Sequence, residues 1–101
     1  MENVLNLLGL AQRAGRLVSG NEAVERAVGR RQAKLIIISQ DAAERTAQRM
    51  IRLAGEKRVP WVRWASKHEL GAAIGRSDRA VVAIIDAGLA EAVRKALSRG
   101  E

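Results

Sequence analysis

Two unbroken aliphatic runs constrain this chain more than any other feature. Leu35-Ile36-Ile37-Ile38 falls within a strand read from Lys34 to Ser39, and Ala80-Val81-Val82-Ala83-Ile84-Ile85 within one read from Arg79 to Asp86. A strand with one wet face alternates apolar and polar residues, whereas a continuous run such as the first marks a strand covered on both sides. Helical segments must supply that cover, and the rest of the chain contains them.

Val4, Leu5, Leu8 and Ala11 share one helical face, so residues 3 to 14 read as a first helix ended by Gly15. Arg16-Leu17-Val18 is a short extended piece. Ser19 and Glu22 have the Ser-x-x-Glu spacing of a capping box, which predicts a second helix with Ala23, Val24, Ala27 and Val28 inward and Gly29 as its stop. Asp41 and Glu44 form a second such box, for a third helix running to about Ala54 with Gly55 as its C-terminal glycine. Val59 to Trp64 reads as a strand that begins at its proline. Ser66 and Glu69 open a fourth helix ending at Gly75, and residues 88 to 99 close the chain as a fifth. The order is α-β-α-β-α-β-α-β-α. It predicts an α/β fold, a three-layer α/β/α sandwich of alternating helices and strands. Neither linker, repeat nor low-complexity tract interrupts the 101 residues, so one domain spanning 1–101 is expected.

Charge narrows the function. Eighteen Lys and Arg against 11 Asp and Glu leave a net +7, and the sequence pI is near 11.3. A domain this basic attracts polyanions, and nucleic acid is the usual partner. Cysteine is absent, which removes disulfides, thiolate metal sites and thiol nucleophiles, and the single His68 cannot build a multi-histidine site. No metal, cofactor or phosphate-binding loop is expected. His68 reads as a surface residue rather than a base, so catalysis is not expected either. The N-terminus lacks the pattern of a signal peptide and no apolar stretch is long enough for a membrane span. A cytoplasmic monomer is the expectation.

The candidate binding residues begin at Gly20-Asn21-Glu22, the tip of the second helix. Asn and Glu pair with base edges, while Lys and Arg mostly hold phosphates. Capping alone would explain Glu22. The surrounding cations, among them Arg26, Arg30 and Lys34, favour a binding role, and a helix N-terminus itself presents N–H groups to phosphate. Arg45, Arg49 and Arg52, spaced by four and three, line one stripe of the third helix. Trp61 and Trp64 fall on opposite faces of their strand, which favours core or edge packing over one shared stacking platform. Gly75-Arg76-Ser77-Asp78-Arg79 is a polar, basic loop of the kind that carries function.

The chain resembles the kink-turn RNA-binding family of ribosomal proteins, the L-seven-Ae and L-thirty-e type, in its small stand-alone bacterial branch. The resemblance runs through Leu8-Gly9-Leu10-Ala11, Arg13-Ala14-Gly15, Leu17-Val18 and Gly20, then Ala33-Lys34 with the Leu35–Ile38 run. It continues through Asp41-Ala42, Thr46, Val59-Pro60, Ser66-Lys67, Glu69-Leu70-Gly71 and Ile74-Gly75. The resemblance implies the same three-layer sandwich and recognition of a bent RNA internal loop with sheared G·A pairs. It implies that Gly20, Asn21 and Glu22 meet those pairs, and that the Gly75–Arg79 loop with Val81 or Val82 packs on the flipped-out nucleotide. The chain departs from the pattern at Glu25, where the family commonly has Lys, and at Arg76, where it has an aliphatic residue. Structured RNA, ribosomal RNA included, is thus the expected partner. A protein-interaction module or a non-specific structured-RNA binder is the alternative, and a small enzyme a more distant one.

Overall fold

In the computed structural model, which describes residues 3–100, the two aliphatic runs become the inner strands of a four-stranded sheet. Met1 and Glu2, part of the N-terminal stretch read above, and Glu101 lie outside the described residues. The elements are α1 (Val4–Arg13), β1 (Leu17–Ser19), α2 (Asn21–Gly29), β2 (Leu35–Ile38), α3 (Glu44–Lys57), β3 (Trp61–Arg63), α4 (Lys67–Ala73), β4 (Val81–Ile84) and α5 (Ala87–Ser98). Strand order is β1-β4-β2-β3. β4 runs antiparallel to both β1 and β2, with Ser19 opposite Val82 and Ile38 opposite Val81. β3 lies parallel to β2, with Ile36 opposite Trp61.

All eight residues of β2 and β4 are buried, as the unbroken runs require. Their side chains alternate between two cores. Leu35, Ile37, Val82 and Ile84 pack with Leu17 beneath α1, α4 and α5, while Ile36, Ile38, Val81 and Ala83 pack beneath α2 and α3. The result is the α/β/α sandwich expected from the sequence, with helices on both faces.

Helix boundaries expose three differences from the sequence-based expectation. The Ser66/Glu69 capping box forms with both arms, at 3.0 and 2.9 Å. Ser19 does not cap α2: it is the last residue of β1, and its hydroxyl accepts from Arg79 Nε at 3.2 Å. Asp41 does not cap α3, which starts at Glu44 after Ala43; its Oδ1 accepts instead from the Lys67 N–H at 2.9 Å, across the sheet end at the start of α4. Gly55 does not end α3 either, because the helix runs to Lys57 and Arg58 takes the left-handed position with φ 58°. At Ser19 and Asp41 a tertiary contact overrides a purely local signal.

Candidate nucleic-acid interface

Gly20 joins β1 to α2 with φ 92° and ψ 157°, a region open to glycine alone. Its N–H donates to the Val81 carbonyl at 3.0 Å, which pins the helix start to the beginning of β4. No side chain caps α2. Its first-turn N–H groups are therefore left for an outside acceptor, reinforced by the positive end of the helix dipole. Asn21 and Glu22 are exposed, and neither side chain has an ion-pair or capping partner among the described residues. With Ser19, Gly20, Ala23 and Arg26 they line a shallow groove.

Next to the tip, joined to Ser19 through Arg79, runs the segment 75–79. It crosses directly over α4 at Gly71, where a Cβ would run into the Ser77 carbonyl. The Arg76 N–H donates to the Gly71 carbonyl at 2.8 Å and the Arg79 N–H to the Lys67 carbonyl at 2.9 Å. Arg79 then ties the segment to the tip. Its Nε donates to Ser19 Oγ, and its Nη1 donates to the Ser77 hydroxyl at 2.9 Å and to the carbonyls of Ser77 and Asp78. Arg79 thus organises the loop, while Arg76 and Ser77 stay exposed beside Gly75. Asp78 faces His68 at 3.3 Å, both on the surface.

Gly20, Asn21, Glu22, Arg26 and the loop thus come together at one end of the sheet. Arg30 and Lys34 do not join them. Arg30 caps the far end of α2, roughly 13 Å along the helix from Asn21 at 1.5 Å per residue, and Lys34 precedes β2 at the opposite end of the sheet. Val81 and Val82 are 0% exposed, so their side chains belong to the two cores and present nothing to a nucleotide. What Val81 supplies is the carbonyl that holds Gly20. Glu25 lies one turn after Asn21 and is bridged to Arg49 of α3 at 2.9 Å, which offsets its charge beside the tip. Arg49 therefore serves α2 rather than a free cationic stripe with Arg45 and Arg52. Two positioning residues escaped the sequence-based reading, Gly71 and Ser19. A glycine inside the Leu70-Gly71 helical stretch is the signal for the first; nothing local marks the second.

Comparison with known proteins agrees with this architecture. The sequence pattern of the ribosomal protein L7Ae/L30e/S12e/Gadd45 family matches residues 2–94. The RNA-binding protein YlxQ of Bacillus subtilis is 38% identical over 84 residues, 83% of this chain and 84% of that protein. The large ribosomal subunit protein eL8 of Thermoplasma volcanium is 29% identical over 97 residues, covering 95% and 80% of the two chains. Among solved structures, a protein with unknown function from Bacillus halodurans C superposes with a TM-score of 0.90 at 35% identity, covering 94% and 96% of the two chains. The Giardia lamblia 15.5kD RNA binding protein superposes with a TM-score of 0.78 at 28% identity, covering 94% and 85%. Sequence pattern, relatives and fold converge on one assignment: the chain belongs to the ribosomal protein L7Ae/L30e/S12e/Gadd45 family.

Proposed function

We propose that this protein is a non-enzymatic RNA-binding module that recognises a kink-turn-type bend through the α2 tip. The observation that carries the proposal is the uncapped, exposed Asn21-Glu22 pair. The capping role that would have accounted for Glu22 is absent, so an acidic side chain stands without a partner among the described residues on a protein of net charge +7. The names of the Bacillus subtilis and Giardia lamblia proteins support RNA as the ligand class. Glu22 can accept from base amino groups and repels a misplaced acceptor, and Asn21 can donate and accept on one purine edge. Arg26 and the first-turn N–H groups take phosphate. A protein that binds the bent RNA better than the open one shifts the population toward the bend without doing work on it.

The test is a titration of a kink-turn RNA and an equal-length control whose G·A pairs are Watson–Crick, at several salt concentrations. The kink-turn is expected to bind more tightly at every salt concentration. Asn21→Ala should lose most of that preference with its salt slope unchanged. Arg26→Ala should weaken both RNAs and reduce the slope by about 0.7–0.9 per lost phosphate contact. Equal, steeply salt-dependent binding of the two RNAs by the wild type would overturn kink-turn recognition.

A further inference from the structure

The cations that the tip does not gather assemble elsewhere. Beside the edge strand β3 lies a groove of about 590 Å³ whose walls include Pro60, Trp61, Val62 and Leu97, with Arg58 and Arg94 at its margins. A neighbouring depression shares Arg58, Val59 and Pro60 with it and adds Arg31, Lys34 and Lys57. Five cations thus border these two adjoining depressions, and among the described residues no carboxylate lines either. Arg94 has a long ion pair with Glu91 at 3.9 Å; Arg31, Lys34, Lys57 and Arg58 form no ion pair among the described residues.

Two further features single this surface out. Trp61 is 42% exposed, whereas Trp64 packs against the core beneath α1, α4 and α5. Arg31 and Arg58 both hold left-handed backbone, with φ of 59° and 58°, a conformation that favours glycine. Residues kept in such positions by the surrounding fold cluster at functional sites. Each follows the last turn of a helix, α2 and α3, where a left-handed residue closes the helix, and each borders one or both depressions; the third such residue, Ala65, lines neither.

The location is separate from the tip. The tip meets the β1 edge of the sheet at the Val81 end of β4, while the groove flanks β3, the opposite edge, near Leu35 at the other end of β2. Three strand spacings and three residue rises put them on the order of 17 Å apart across the sheet. None of these cations lines the groove at the tip.

We infer that this groove is a second RNA-contacting surface, which takes unpaired nucleotides with a base stacked on Trp61 and phosphates on Arg31, Lys34, Lys57 and Arg58. A positive track beside an exposed aromatic ring is how single strands are held without sequence preference. The choice of RNA among polyanions rests on the RNA-binding function proposed above; the groove itself does not depend on kink-turn recognition.

A short oligouridylate, which has no stable secondary structure, is the probe. In a Trp64→Phe background Trp61 is the sole tryptophan, and oligouridylate is expected to quench its fluorescence. Trp61→Ala should weaken oligouridylate binding by roughly five- to 150-fold, the range for one stacked base. Arg31→Gly and Arg58→Gly suit the local backbone, so they should fold and each lower the salt slope by about 0.7. All three variants should leave kink-turn affinity unchanged. Loss of kink-turn preference in the wild type with the oligouridylate pattern intact would sink the tip function and support the groove. An Asn21→Ala variant that weakens oligouridylate as much as Trp61→Ala would overturn the second surface. So would an oligoglutamate peptide of equal charge that binds as tightly and quenches Trp61, since the groove would then be a site for acidic protein segments.

Discussion

Glu22 and Glu25 stand three residues apart on α2 and meet opposite surroundings. Glu22 projects from an uncapped helix end with no partner among the described residues, whereas Glu25 is half-buried against Arg49, with 27% of its side chain exposed. Where the resemblance implies Lys, this chain carries a carboxylate paired with Arg49. Such partly exposed ion pairs contribute up to about 1 kcal/mol. Glu25→Lys should therefore lower the melting temperature by no more than about 4–8 °C, read by calorimetry. It also sets a cation one turn from Asn21, beside an unpaired Arg49. Affinity for kink-turn RNA should rise and its salt slope should steepen by about 0.9 per phosphate newly reached. A variant with unchanged slope would place Glu25 outside the bound footprint.

At the level of elements, the crossing of the 75–79 segment over α4 is the tightest joint near the site. A methyl group at Gly71 collides with the Ser77 carbonyl, and backbone yields less readily than a flexible side-chain end. Gly71→Ala should thus cost about 1–3 kcal/mol, as overpacking does. It should also displace Ser77 and the Arg79 anchor, lowering discrimination between kinked and control RNA. Melting temperature and RNA titration on the same variant read both effects. The start of α4 carries a pH-dependent tie as well. The Lys67 N–H, and to a lesser degree the Lys67 ammonium, hold the Asp41 carboxyl below its ordinary value of 3.8. Because the folded value is the lower one, this contribution is complete above about pH 4 and is lost as pH falls through the folded value. Asp41→Asn keeps an acceptor but cannot titrate. Its denaturation midpoint should change less than that of the wild type between pH 5 and pH 2. These two joints also show what a sequence discloses. The alternation of helices with unbroken aliphatic runs was legible because burial on both faces leaves a compositional mark. Ser19 and Asp41 were misread because their capping spacing is identical whether the side chain turns to its own helix or to Arg79 and Lys67 far along the chain. Asn21-Glu22 was legible as a polar tip. The distance of Arg30 and Lys34 from it was not, because residues close in sequence part company along a rigid helix and strand.

Across the whole molecule, charge is distributed between two separated regions on a body with principal extents of 34 × 25 × 24 Å. The tip gathers few cations beside Asn21 and Glu22; the β3 edge gathers more beside one exposed ring. The sheet that separates them has an order unlike that of the chain. β4, the last strand to be made, lies between β1 and β2, and β1 has no other neighbour. A ribosome synthesising this protein therefore releases β1 and Gly20 long before Val81 exists to receive them. Domains that depend on such distant pairings assemble late. An interrupted or prematurely terminated chain carries Asn21 and Glu22 without the strand that aims them. Completion of synthesis is thus a condition for the geometry of the α2 tip, because a chain that stops before β4 lacks the carbonyl that receives Gly20.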